Sequence, residues 1–277
     1  MHEELFHIGP IVIRSYGVML ALAFLACVIY VRIVARRDGK PFEQYLSVAY
    51  IMIFGGIIGA RLFYVLFHLG EFTDNWLASF NPFASDHFGI AGLNMYGGVL
   101  IAIGATVVYC RLRKLAVLDL FDYFAPTLGL GLAIARIGCF FNGCCFGTPT
   151  NLPWGIAFPV GSIPYAIYFD AHLHPAQLYS SLYGLGLFLV LHYLLKRRRF
   201  VGQVVGLMFM LEAVARFAIE YVRFYEDAMQ FQIIGMHPTY NQIISLALFL
   251  LGLGIYLYQR KRISNSTTAV DLKQTKS

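Results

Sequence analysis

Charge is scarce in this chain of 277 residues: only 13% are Asp, Glu, Lys or Arg, against 58% hydrophobic. A soluble core of this size needs far less apolar material, so the composition excludes an ordinary soluble globular domain. The windows 88–110, 176–195 and 241–259 hold no charged residue at all. Each is long enough to cross about 30 Å of hydrocarbon as a helix. An internal repeat, a linker and a low-complexity tract are also missing, which leaves one membrane domain over 1–262. The first apolar run has neither a basic flank before it nor a small-residue cleavage site after it, so it reads as a retained helix and not a signal peptide. Cysteine is limited to five positions without the two-plus-two spacing of a structural zinc site, so no metal is expected.

What is present is an all-α polytopic membrane protein of about seven transmembrane helices, near 15–34, 45–69, 92–110, 120–141, 176–195, 204–224 and 241–259. Basic residues cluster after the odd-numbered spans: Arg32, Arg36, Arg37 and Lys40; Arg111, Arg113 and Lys114; Lys196 to Arg199; and Arg260, Lys261 and Arg262. The positive-inside rule places these clusters in the cytoplasm, with the N-terminus outside and the C-terminus inside. The net charge of +6 is thus a topology signal beside anionic lipid, and nucleic acid is not an expected partner. Segments 70–91 and 142–175 are long enough to build a small outer-face cap. The second holds Pro153, Trp154, Pro159 and Pro164, a composition suited to a folded interfacial loop. The polar residues 263–277 read as a disordered cytoplasmic tail. Gly55 and Gly59, with Gly129, Gly131, Gly184, Gly186, Gly252 and Gly254, read as close helix contacts.

The few charges inside spans carry the functional signal. An arginine in hydrocarbon costs about 3 kcal/mol on insertion scales, so it is normally kept for a partner or a ligand. Arg136 closes an apolar run in Ala135-Arg136-Ile137-Gly138-Cys139-Phe140-Phe141-Asn142-Gly143-Cys144-Cys145-Phe146-Gly147, and its fork matches two phosphate oxygens. Glu212, Arg216 and Glu220, spaced by four with Arg223 three further on, stack on one helix face. That face reads either as a buried ion-pair ladder or as the wall of a polar cavity. Together with Arg61, these arginines fall in or near the outer half of the membrane on the expected topology, where an anionic lipid head group would meet them.

Read together, the motifs resemble those of the bacterial prolipoprotein diacylglyceryl transferases over nearly the whole chain. The family signature Gly-Arg-x-Gly-Asn-Phe-x-Asn-x-Glu-x-x-Gly is met by Ala135, Arg136, Gly138, Phe140, Asn142 and Gly147 in register. Gly9-Pro10, Ile13-Arg14-Ser15-Tyr16-Gly17, Gly59-Ala60-Arg61, Asp122, the run His174 to Tyr179, and Arg216-Phe217 with Glu220 look like family positions as well. Three positions depart from the pattern. Cys139 stands for Asn, Cys144 for Glu, and Tyr96 replaces the His of a His-Gly-Gly motif. A tyrosine ordinarily keeps its proton until about pH 10, which puts a base role there in doubt. Cys139, Cys144 and Cys145 are open to three readings: a disulfide on an oxidising face, plain buried thiols, or, least favoured, metal ligands with His172 or His174.

The resemblance implies an enzyme of the bacterial cytoplasmic (inner) membrane. It would transfer the diacylglyceryl group of phosphatidylglycerol to the lipobox cysteine of a prolipoprotein signal peptide, without a cofactor. The catalytic residues implied are Arg136, Arg216, Glu220 and Tyr96. The implied phosphatidylglycerol contacts are Arg136, Tyr16, Asn142, Gly147, Arg61 and His174. Two alternatives stand beside it: a paralogous lipid-to-thiol transferase with another substrate, and a lipid or anion transporter.

Overall fold

The computed structural model describes residues 4–8, 11–71, 94–224 and 239–274. Gly9-Pro10 and most of the expected cap segment 70–91 lie outside the described residues. Among the described residues there are eight α-helices: α1 (Ser15–Arg37), α2 (Phe42–Phe67), α3 (Met95–Leu112), α4 (Val117–Asn142), α5 (Ile163–Tyr168), α6 (Ala176–Lys196), α7 (Gln203–Ile219) and α8 (Tyr240–Gln274). Six of them are long and apolar enough to cross a membrane: α1, α2, α3, α4, α6 and the Tyr240–Ile263 part of α8. Large apolar side chains such as Ile33, Phe54, Leu100, Leu182 and Leu246 point outward and exposed. Apolar surface distributed over helix after helix in this way suits hydrocarbon and not water.

The architecture of the described residues is all-α as expected, with strands β1 (Glu4–Ile8) and β2 (Ile11–Arg14) pairing antiparallel ahead of α1 as a small addition. The sixth span stops at Ile219 rather than running to residue 224, so Arg223 lies beyond the helix and pairs as an isolated bridge with Gly147. Beyond its apolar part, α8 continues as helix to Gln274. A helix already nucleated by an apolar segment extends at the small cost of one residue at a time.

The chain divides into two compact units. One comprises 4–15 and 28–120 and holds the hairpin, α2 and α3. Here Gly59 and Gly97 set a close helix crossing. A Cβ added at Gly59 would lie 2.6 Å from the Gly97 carbonyl oxygen, and one at Gly97 would lie 2.7 Å from that of Gly59. Gly55, one turn earlier, meets Ala102 at an ordinary 3.5 Å. Asn94 caps α3, its side chain accepting the backbone N–H groups of Tyr96 and Gly97. The end of α1 turns at Gly39, whose φ of 63° is in the left-handed region that favours glycine.

The other unit holds 16–27 and everything from Phe121 onward. Its helices also meet through glycine: α4 and α6 at Gly129 and Gly184, α7 and α8 at Gly206 and Gly252. Gly186 and Gly254, expected to pack, face nothing within 4 Å. Two residues apart on a helix is a turn of about 200°, so one glycine of each such pair must look away. Within α4, Pro126 lacks the N–H that would bond back to residue 122. The fully buried Asp122 carboxylate instead reaches the start of α7, accepting N–H bonds from Gly202 at 2.7 Å and Val205 at 2.9 Å, with Arg198 Nη1 at 3.3 Å.

Between α4 and α6 the segment 143–175 folds on itself. Gly147, Thr148, Thr150 and Ile156 exchange backbone hydrogen bonds with His172, Leu173, His174 and Val222. Phe146, Phe158 and Leu173 form a small buried core, and Phe224 stacks on Phe146 with ring centroids 5.2 Å apart.

Candidate active site

The last turns of α4 project the side chains that matter. Arg136 and Cys139, three apart, share a helix face, with Arg136 Nη1 lying 4.0 Å from Cys139 Sγ. The helix ends at Asn142. Gly143 at φ 72° and Cys145 at φ 60° then turn the backbone sharply, while Cys144 N–H still bonds to the Cys139 carbonyl. Adjacent residues on extended chain point opposite ways; this left-handed turn instead brings both thiols back toward Cys139. The three sulfur atoms all lie within 4.8 Å of one another. A non-glycine residue at positive φ costs about 1–3 kcal/mol, which the surrounding hydrogen bonds must offset. One of them comes from the fully buried Gln177, whose Nε2 donates to the Cys144 carbonyl at 2.8 Å.

The thiols polarise one another. Hydrogen bonds with Cys139 and Cys144 push the Cys145 thiol well below its ordinary value, and the charges of Arg223 and Arg136 add to this against the opposing effect of burial. Cys144 is pushed up, first by its hydrogen bond with Cys139, then by that with Cys145 and by burial. Tyr16, at the start of α1, lies within electrostatic reach of Arg136 and all three cysteines. Its Cα would meet a Cβ on Gly138 at 3.3 Å, so glycine there lets α1 approach the α4 terminus.

On α7 the expected spacing of four produces a real pair: Arg216 Nε stands 3.3 Å from Glu220 Oε1. The other oxygen of Glu220 accepts from Thr239 Oγ1 at 2.9 Å and Asn241 Nδ2 at 3.4 Å. Glu220 is therefore buried with both oxygens engaged. Glu212 Oε1 accepts from Tyr183 at 3.4 Å, whereas its buried Oε2 has no hydrogen-bond partner among the described residues. Arg216 and Arg136 both lie within electrostatic reach of Glu212. Sequence spacing placed Glu212 on this face, but nothing local signals Tyr183 or Thr239, because both come from other parts of the chain.

The remaining expected residues have plainer surroundings. Gly147 threads between backbones, since a Cβ there would meet His174 O at 2.6 Å, so its glycine is needed for packing. His174 Nδ1 lies 3.3 Å from the Tyr179 hydroxyl, which also accepts from Trp154 Nε1 at 2.7 Å. Asn142 is the half-buried last residue of α4. Arg61 and Tyr96 belong to the unit built on α2 and α3. There Arg61 is buried over the Tyr64 ring, and Tyr96 is half exposed in the first turn of α3. Their neighbours Ala60 and Asn94 are joined by a backbone hydrogen bond of 2.9 Å.

A family model described as prolipoprotein diacylglyceryl transferase matches residues 3–258. Relatives named phosphatidylglycerol–prolipoprotein diacylglyceryl transferase include one from Pseudoalteromonas translucida, 32% identical over 95% of this chain and 94% of its own length. Another, from Clostridium tetani, is 30% identical over 95% and 99%. A third, from Nitratidesulfovibrio vulgaris, is 34% identical over 92% of each.

Proposed function

The chain belongs to the prolipoprotein diacylglyceryl transferase family, and from that premise we propose that it moves the diacylglyceryl group of phosphatidylglycerol onto the lipobox cysteine thiol of a prolipoprotein. It is a transferase of bacterial lipoprotein maturation. The observation that carries the site assignment is the convergence of Arg136 from α4 and Arg216 from α7 around Glu212, with Arg216 braced by Glu220.

In this reading the acceptor sulfur attacks the glyceryl carbon that bears the phosphate ester oxygen. The carbon–oxygen bond breaks, and negative charge gathers on the departing glycerol phosphate. Arg136 grips two phosphate oxygens through its planar fork and Arg216 takes up the rest of the developing charge. In a water-poor site such contacts are strong, and guanidinium groups fixed beforehand need no reorganisation during the reaction. Glu220 acts by holding Arg216, since both of its oxygens are already engaged. Tyr16, within electrostatic reach of Arg136, and Asn142, Gly147 and His174 of the same unit are the proposed head-group contacts, while the roles of Arg61 and Tyr96 are proposed from the family resemblance alone.

The matching topology is seven spans in the bacterial cytoplasmic membrane, with α7 as the span that carries the charged face. The four basic clusters lie in the cytoplasm, and segment 143–175 forms a cap on the outer face. Residues 1–262 make up the transferase domain. Incubating the purified chain with phosphatidylglycerol labelled in its acyl chains and a lipobox peptide tests the reading: the label should move to the peptide cysteine. A peptide left unlabelled, with a serine-substituted peptide as the background, would overturn it.

A further inference from the structure

We infer that Cys139, Cys144 and Cys145 bind one zinc ion whose open fourth position takes the acceptor thiol; the substrate half of this inference rests on the transferase reading above. The three sulfurs already lie within 4.8 Å of one another. Zinc–sulfur bonds of about 2.3 Å at tetrahedral angles put sulfurs about 3.8 Å apart, so side-chain rotation of roughly an ångström closes the site. A disulfide would use two of the thiols and strand the third. A metal uses all three, and a left-handed Cys145 following Gly143 is a costly way to aim three thiols at one point unless they act together.

Charge and surroundings fit the same ion. Three thiolates and a divalent cation leave one net negative charge, and the cluster has Arg136 4.0 Å from Cys139 Sγ and Arg223 within reach of Cys145. The Gln177 amide fixes the Cys144 carbonyl, a support from outside the ligand set of the kind that orients metal ligands. Among the described residues the group contains only these three ligands, with no histidine or carboxylate as a fourth. Catalytic zinc sites typically have three protein ligands and one open position, whereas structural sites are closed.

The acceptor of this reaction is itself a thiol, the ligand such a site favours. Zinc binds it as thiolate and its proton leaves to water, so no protein base is needed. This would account for a Glu220 whose two oxygens are both engaged, by Arg216 on one side and Thr239 on the other. The bound sulfur then attacks the glyceryl carbon; the sulfur–carbon bond forms as the carbon–oxygen bond breaks, and the electron pair leaves on the glycerol phosphate. The product thioether is neutral and a weak zinc ligand, so it is released.

The test uses the full chain in detergent, reduced and stripped with a chelator, with cobalt(II) as a spectroscopic probe for zinc. One cobalt per chain should bind with thiolate charge-transfer and tetrahedral absorption bands, and zinc should displace it. Cys139→Ser, Cys144→Ser and Cys145→Ser should each weaken binding by more than about 100-fold, beyond the 10- to 100-fold typical of losing an outer-shell partner. Because a variant can fail to fold, the unaltered chain supplies a second readout. A lipobox peptide should shift the cobalt bands, and its cysteine-to-serine version should not. Absence of cobalt binding, or binding undiminished in folded Cys145→Ser, would overturn the metal site; bands unmoved by the cysteine peptide would overturn the open position. Full transfer activity in the metal-free chain would sink this inference and leave the transferase standing. Cobalt binding as expected, in a chain that transfers nothing once reloaded with zinc, would do the reverse.

Discussion

The Asp122 carboxylate accepts the backbone N–H of Val205 at 2.9 Å, so a residue in the first half of α4 caps the start of α7, 83 positions later. The same carboxylate takes the Gly202 N–H and faces Arg198. A negative group at a helix N-terminus is favoured by the helix dipole and by the unpaired amides there. Asp122 reads from the sequence as a family position, and its partners make it a structural brace for α7.

Removing it leaves buried amides and a guanidinium without their acceptor. Asp122→Ala is expected to destabilise the chain by about 3 kcal/mol, with Asp122→Asn milder because one oxygen remains. Melting temperature in detergent reads this out. An alanine variant with unchanged melting but no transfer would move Asp122 from scaffold to chemistry.

Arg136 is expected to behave in the opposite way. Arg136→Ala should abolish transfer while the protein still inserts and accumulates, and Arg136→Lys should stay at least about 100-fold impaired, because a point charge does not replace a bidentate fork. Initial rates of label transfer decide it, and alanine activity within a few-fold of the parent would remove Arg136 from the mechanism.

Glu220 is argued to position Arg216, so the two variants at this site should separate. Glu220→Gln retains an oxygen toward Thr239 and Asn241 but loses the ion pair with Arg216; Glu220→Ala loses both. Transfer should fall about 10-fold for Gln and further for Ala, with the affinity for phosphatidylglycerol affected as well as the turnover. A base would show a changed pH profile instead, and that outcome would contradict the positioning role.

Most helices were legible because long uncharged windows have one economical explanation in a membrane. Their ends fell within a few residues of the expectation, as in 120–141 against Val117–Asn142. What escaped notice depended on distant partners. The end of α7 is set by Glu220 hooking Thr239 and by Val222 and Phe224 pairing with the backbone of Thr148 and Phe146, neither of which has a local signal. The paired strands Glu4–Ile8 and Ile11–Arg14 are too short to span a membrane, so their apolar residues carry no span signal. Gly59 was readable as a contact from its spacing, but which of Gly184 and Gly186 packs depends on the direction of approach of α4. Spacing rules likewise do not foresee the positive φ at Cys145 that helps bring three sulfur atoms within 4.8 Å of one another.

Topology has its own test. Reporter tags after Arg262 and within 196–200 should signal cytoplasm, and tags within 150–165 the outer face. An outward-reporting C-terminus would contradict the seven-span arrangement. It would also put Arg136 and the cap toward the cytoplasm, away from where exported precursors present their cysteine.

The thiols offer a pH test that needs no substrate. Hydrogen bonds with Cys139 and Cys144, aided by Arg223 and Arg136, hold Cys145 below its ordinary value, while Cys144 is pushed up. An unfolded cysteine titrates near pH 8.5, so the stabilisation tied to the Cys145 thiolate is complete above about that pH and is lost as pH falls toward the folded value. In the reduced, metal-free chain, alkylation at Cys145 should change less than about 3-fold between pH 8 and pH 6, because the thiolate fraction stays high. An ordinary thiol loses about 10-fold per unit over that range, and Cys144 should scarcely react at all. Peptide mapping after a timed pulse of alkylating agent separates the two adjacent positions by fragment mass. Parallel decline of both would mean that the three thiols do not share hydrogen bonds as the geometry requires, and the cluster would then be three separate buried cysteines.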